Sequence, residues 1–400
     1  MRFDEFDLHD EILEAISYMG FEKASPIQEK AIPLILENKD LLAFAQTGTG
    51  KTAAFILPIL DKIAHSKGDS INTLIIVPTR ELAIQIDQQI QGFSYFLPTN
   101  SIAIYGGGDG SDWVTQSKAL KNKTDIIVAT PGKLISHLNV GNIKFEQLQH
   151  LVLDEADRML DMGFYDDIQR IVSYLPKKRQ TLLFSATMPP KIKKLSSAIL
   201  DKPEEIAIEL SKPAEKVLQA AYLCSENHKT PFINHLINQK EDYKSILIFT
   251  STKAKVNQIV RGLKNKNYQT DGISSDLEQS ERENVLSAFK AKRTRVLVAT
   301  DVISRGIDIK DIELIINYDV PGDAEDYVHR VGRTARAESE GVAVTLINEN
   351  DMFRFKKIEE LIETEIIKLP IPPEIGKSPE WNPKSQNFRF KNNQRKNRKK

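Results

Sequence analysis

Residues 43–60 read "AFAQTGTGKTAAFILPIL": an apolar run, a glycine-bearing turn that ends on Lys51, and a second apolar run with helical spacing. Strand, tight loop and helix in that order present backbone N–H groups and a helix N-terminus to phosphate. Gly48 and Gly50 let the loop turn, Lys51 brings a point charge to the β- and γ-phosphates, and the Thr52 hydroxyl suits Mg²⁺. Gln46, Thr47 and Thr49 complete the loop. The strict phosphate-loop pattern has glycine where Ala45 stands. The loop therefore implies a nucleotide, and the rest of the chain must say what is done with it.

Hydrolysis needs a metal ligand on a neighbouring strand, and "LVLDEAD" (151–157) supplies one. Asp154 ends an apolar run, where its carboxylate can hold the Mg²⁺ that bridges two phosphates; Glu155 beside it can polarise a water for in-line attack.

Outward from these strings, similar runs recur, each followed by turn residues and a helical pattern. The first half holds "DLLAFA" (40–45), "TLIIVP" (73–78), "DIIVAT" (125–130), "HLVLDE" (150–155) and "TLLFSA" (181–186); the second holds "SILIFT" (245–250), "RVLVAT" (295–300), "ELIINY" (313–318) and "GVAVTLI" (341–347). Continuous apolar strands alternating with helices predict an α/β fold of two lobes, each a parallel sheet covered on both faces. "DKPEEIAIELSKPAEKV" (201–217) has two prolines and no long apolar face, which places a linker at 208–216 between lobes 1–207 and 217–370. In such sheets ligands gather at the carboxyl ends of strands.

With 40% hydrophobic and 28% charged residues in 400, the composition is that of a soluble globular chain. No apolar run approaches the roughly 18 residues of a membrane span, and the acidic start "MRFDEFDLHDE" has no signal-peptide pattern, so a cytoplasmic protein without a membrane partner is expected. Cys224 is the single cysteine, which excludes an intrachain disulfide and a cysteine zinc site; it reads as a small buried apolar residue. The formal net charge of +0 hides segregation: residues 384–400 carry eight of the 55 Lys and Arg and no carboxylate, leaving 47 cations against 55 anions, or −8, elsewhere. Residues 371–400 are expected as a disordered basic tail, either solubilising or phosphate-seeking.

"GFEKASPIQ", "AQTGTGKT", "PTRELA", "TPGKL", "DEAD", "SAT", "ATDVISRGIDI" and "HRVGRTAR" follow one another in the order and spacing of the DEAD-box ATP-dependent RNA helicases, and the chain resembles that family from about Phe3 to about Leu369. The resemblance implies two RecA-like lobes joined by a short linker, ATP with Mg²⁺ as cofactors, and RNA as partner. Ribosome-assembly or RNA-decay proteins are the associates it implies.

It also implies roles. Phe21 would stack on adenine and Gln28 would bond the base edge, with Phe6 behind them. Asp308 would accept from the ribose hydroxyls. Arg333 and Arg336 match arginine fingers that act on the γ-phosphate from the second lobe, and His329 would link to "DEAD" and "SAT". Ser185, Ala186 and Thr187 would couple the nucleotide to RNA. Thr79, Arg80, Gly106, Gly107, Thr130 and Gly132 in the first lobe, with Gln279, Arg282 and Thr300 in the second, match positions that bind the sugar-phosphate backbone of single strands and short duplexes.

Four departures stand out. Ala24-Ser25 replaces proline-threonine, Lys133 replaces an arginine and loses its bidentate fork, Ser274-Ser275 replaces histidine-glycine, and Ala335 replaces glycine between the two fingers. Contacts to 2′-hydroxyls would favour RNA over DNA. A DNA-dependent helicase and an ATP-gated RNA clamp that never unwinds stay open at this point.

Overall fold

The computed structural model describes residues 1–45, 48–66, 70–107, 110–121, 124–208, 217–238, 243–274, 276–300, 312–334 and 341–383. The chain divides into two compact units between Ser211 and Lys212. The first carries β1 (Leu41–Phe44), β2 (Thr73–Ile76), β3 (Ser101–Ile104), β4 (Ile126–Ala129), β5 (His150–Leu153), β6 (Gln180–Ser185) and β7 (Glu204–Ala207). They form one sheet in the order β3-β4-β2-β5-β6-β1-β7, paired in parallel throughout.

Alternate residues of each central strand enter separate cores. Ile75 of β2 packs in one core with Phe55, Ile59 and Ile86, while Leu74 and Ile76 pack in the other with Leu134, Leu153 and Met159. Covering both faces in this way is what makes the strands read as unbroken apolar runs.

The second unit carries β8 (Val217–Leu223), β9 (Ile246–Thr250), β10 (Thr270–Ile273), β11 (Val296–Thr300), β12 (Leu314–Asn317), β13 (Gly341–Ile347) and β14 (Ile367–Pro370), in the order β10-β11-β9-β12-β13-β8-β14. Counted within each unit, this is the strand order of the first sheet again: third, fourth, second, fifth, sixth, first, seventh. Two copies of one parallel topology confirm the predicted α/β class.

All nine predicted runs are strands, and five further strands were not legible. Four of them, β3, β7, β10 and β14, are the sheet edges, and β8 lies one strand in from an edge. Edge strands have a neighbour on one side only and tolerate exposed polar positions, as in "EEIA" of β7, where Ile206 alone is buried.

Two expected boundaries shift. Ile208 donates its N–H to the Phe44 carbonyl at 2.9 Å, so it continues the first sheet; residues 209–216, the rest of the expected linker, lie outside the described residues. Residues 371–383, expected at the start of the disordered tail, instead pack on the second unit. Ile371 is buried and its N–H donates to Ser378 Oγ at 2.8 Å, and Trp381 sets its ring edge-on against Phe355 with the Lys368 ammonium 4.9 Å from its centroid. Isolated anchors without periodicity hold this segment, which is why its composition reads as unstructured. The eight-cation stretch 384–400 lies outside the described residues. Among the described residues no helix is long and apolar enough to cross a membrane.

Candidate active site

The sheet order sorts the polar strings of the first unit into two neighbouring groups. The glycine loop follows β1, "DEAD" follows β5 and "SAT" ends β6, and these strands are adjacent as β5-β6-β1. "PTRELA", "YGGGDG" and "TPGKL" follow β2, β3 and β4, adjacent as β3-β4-β2.

In the first group, Gly48 and Gly50 have φ of +88° and +92°, in the left-handed region that glycine occupies without steric cost. Gly50 is tied down twice, since a methyl there would come within 2.6 Å of Gln28 Nε2 and 2.9 Å of Ser25 Oγ. Ala45 carries no left-handed φ and is buried in the core, which explains why glycine is dispensable at that position. Lys51 opens the helix Lys51–Ala64. The residue is 6% exposed, and its ammonium has no hydrogen-bond partner among the described residues and lies 3.8 Å from Asp154 Oδ1. A buried cation with three donors and only a through-space partner suits an anion offering several acceptor oxygens.

Burial pushes the Asp154 carboxyl up to about 6 against the opposing pull of Lys51. A carboxylate held in that balance at a strand end, with the Thr52 hydroxyl in the first turn of the facing helix, is a hard oxygen donor set of the kind Mg²⁺ takes. Glu155 adopts φ 52°, ψ 48°, a left-handed conformation that costs a non-glycine residue on the order of 1–2 kcal/mol. Arg158 Nη1 donates to its Oε2 at 3.1 Å. The guanidinium holds the carboxylate, and the left-handed backbone sets the direction in which the side chain leaves the strand end.

Gln28 is buried, with both ends of its amide engaged: Oε1 accepts from Ser25 N at 2.8 Å, and Nε2 donates to the Gly50 carbonyl at 3.1 Å. Each end keeps further hydrogen-bonding capacity. Phe21 stays 37% exposed, flanked edge-on by Phe3 and Phe93 at 6.3 and 5.5 Å, with Phe6 buried behind Phe3.

Asp157 belongs to this group by its contacts, although the sequence analysis gave it no role of its own. Its Oδ2 accepts from Ala186 N and Thr187 N, both at 3.1 Å, and from Thr187 Oγ1 at 3.2 Å. Ser185 Oγ donates to the Thr187 carbonyl, and the Ser185 carbonyl accepts from Ala45 N at 3.1 Å. The predicted coupling residues Ser185, Ala186 and Thr187 thus join the loop after β1 to the end of "DEAD". Asp157 closes the "DEAD" string, and that place is the signal that could have pointed to it.

In the second group, Thr79 caps the helix Arg80–Phe93 by accepting from Leu82 N at 3.3 Å, and the Arg80 guanidinium lies 4.4 Å from the Tyr105 ring centroid. Gly107 turns at φ +93°, and Thr130 precedes the helix Pro131–Asn139, where a side chain added at Gly132 would meet open space.

In the second unit, Thr300 ends β11 in register with Thr250 of β9. Thr250 Oγ1, Ser251 N and Ser251 Oγ all donate to Asp319 Oδ2 at 2.7–2.8 Å. Burial alone would raise the Asp319 carboxyl, but the ammonium groups of Lys229 and Lys255 and the serine donors outweigh it and hold it below the ordinary range. Arg282 Nη2 donates to the Leu277 carbonyl at 3.4 Å.

Within "HRVGRTAR", Arg330 is an interior anchor whose Nη1 donates to Asn317 Oδ1 and to the Asp319 carbonyl. His329 is half-buried on the same helix, Ala324–Val331. Arg333 is half-buried just beyond it, and its carbonyl accepts from Ile312 N at 3.3 Å. Gln46, Thr47, Asp308, Ala335 and Arg336, with Ser275 and the Gln279 side chain, lie outside the described residues.

A glycine loop capped by a buried lysine, with an acidic strand end facing it and a duplicated parallel sheet, marks a two-unit P-loop nucleoside triphosphatase. Residues 25–195 match the family description "DEAD/DEAH box helicase" and residues 228–338 match "Helicase conserved C-terminal domain". The chain belongs to the DEAD-box ATP-dependent RNA helicases. It is 42% identical over 93% of its length to the ATP-dependent RNA helicase CshA of Listeria monocytogenes, covering 71% of that protein, and 40% identical over 92% of its length to RhpA of Helicobacter pylori, covering 74%. Among solved structures, S. cerevisiae Dbp5 bound to RNA and ADP BeF3 superposes with a TM-score of 0.82 at 31% identity, over 92% of this chain and 95% of that one. Mss116p bound to ssRNA and AMP-PNP gives 0.82 at 30% identity, over 93% and 80%.

Proposed function

We infer that this protein hydrolyses ATP in response to RNA, and that the cycle opens short RNA duplexes locally or remodels RNA–protein complexes. The observation that carries the reading is the division of the carboxyl end of one sheet: the glycine loop, "DEAD" and "SAT" on β5-β6-β1 and "PTRELA", "YGGGDG" and "TPGKL" on β3-β4-β2, with the SAT–Asp157 hydrogen bonds beside the loop.

In this reading Phe21 stacks on adenine, Gln28 reads the base edge while holding Gly50, and residues 46–52 wrap the phosphates with Lys51 as their charge partner. Thr52 and Asp154 would hold Mg²⁺, which would act as a Lewis acid and offset the negative charge of the phosphates. Glu155 orients the attacking water and takes its proton. Asp308 receives the ribose hydroxyls, and Arg333, Arg336 and His329 complete the site when ATP and RNA are both bound. RNA lies along Thr79, Arg80, Gly106, Gly107, Thr130 and Gly132, and along Gln279, Arg282 and Thr300, through its phosphates and sugars. Such contacts carry no base information. The reading also places the protein in the cytoplasm, with ribosome-assembly or RNA-decay proteins as associates.

Strand release from a short RNA duplex tests this directly. Release with ATP and not with a non-hydrolysable analogue is expected, with little release from the matching DNA duplex. Equal release with the analogue would make the protein a clamp, and a preference for DNA would overturn the choice of substrate.

A further inference from the structure

Lys133 stands where an arginine would bring a planar fork to phosphate, and a lysine there is a flexible point charge with four rotatable bonds to restrain. The structure restrains it. The Lys133 ammonium lies 4.7 Å from the centroid of the ring of Trp113, a half-buried residue near the start of the helix Gly110–Lys121. Trp113 in turn lies flat on His137, with centroids 4.0 Å apart and an interplanar angle of 8°. His137 is fully buried, and its ring nitrogens face Gln116 Oε1 and Asn142 Nδ2, each at 3.3 Å. Burial, with the Lys133 charge beside it, pushes His137 down to about 4, so the imidazole is neutral and does not oppose the ammonium. Arg80, which follows β2, likewise lies over the ring of Tyr105, which follows β3.

We propose that Trp113 is a positioning residue for RNA binding, holding the Lys133 ammonium beside Thr130 and Gly132 where a backbone phosphate of the single strand is bound. The proposal rests on the RNA path given above. A cation held on a ring face reaches its phosphate with less entropy to lose, which offsets part of what the missing arginine fork would supply. The ring itself touches no nucleotide.

The test measures, on the full chain, the RNA concentration giving half-maximal ATPase stimulation and the turnover at saturation. Trp113→Leu is expected to raise the former about three- to tenfold and change the latter less than about twofold. Lys133→Met should raise it about tenfold, and the double variant should match Lys133→Met within about twofold, because both changes remove one interaction. The chain has two tryptophans, so in a Trp381→Phe background fluorinated tryptophans can weaken the ring's quadrupole at Trp113 without changing its packing. Half-saturation should then rise stepwise with fluorination. A flat fluorination series, or losses that multiply in the double variant, would overturn the role of Trp113 while the RNA path stands. No effect of Lys133→Met would instead remove Lys133 from the RNA path, and the proposal with it.

Discussion

Replacing Glu155 by Gln is expected to lower RNA-stimulated ATP turnover at least about 100-fold while leaving ATP affinity within about threefold. The amide keeps the shape and the contact with Arg158, but it cannot take a proton from water. The left-handed backbone at Glu155 is independent of this side-chain change, so the fold should survive it. Lys51→Ala is the contrasting variant: it removes the buried ammonium beside Asp154 and should weaken ATP binding itself. Turnover by Glu155→Gln within about twofold of the parent, a change in barrier below roughly 0.5 kcal/mol, would show that another group activates the water.

The second large effect is expected at Arg333. Its backbone is pinned by Ile312 and by its own N–H donated to the Arg330 carbonyl at 3.2 Å, so substitution to Ala should remove a charge without loosening the helix end. RNA-stimulated turnover should fall about 10³-fold or more, the scale of an arginine finger. ATP affinity without RNA should change far less. Arg330→Ala is a sharply different change, because that guanidinium is buried against Asn317, the Asp319 carbonyl and the Phe249 ring, and its loss should lower thermal stability first. Unchanged stimulated turnover in Arg333→Ala would remove it from the reaction.

The proposed reactive groups are legible in the amino-acid sequence because each sits in a short contiguous string at the end of a strand or helix. Lys51 follows β1, Asp154 and Glu155 follow β5, and Arg333 follows a helix, so order and spacing along the chain carry most of the chemistry. What the sequence hides depends on contacts between strings. Gln28 holds Gly50 from 22 residues away, and Asp157 accepts from Ala186 and Thr187 some 30 residues later. Trp113 meets Lys133 and His137 because the segments that follow the paired strands β3 and β4 are neighbours in space. The edge strands are hidden for a different reason, since half-exposed strands lose the unbroken apolar pattern. Residues 371–383 are hidden because Ile371 and Trp381 anchor them ten positions apart without a period.

The central claim, that phosphate chemistry on β5-β6-β1 answers to a strand bound on β3-β4-β2, is tested most directly by the steady-state ATPase rate with and without saturating single-stranded RNA, with single-stranded DNA of the same sequence beside it. A rate at least about tenfold higher with RNA and little changed with DNA is predicted. A rate indifferent to RNA, or raised equally by both nucleic acids, would contradict it.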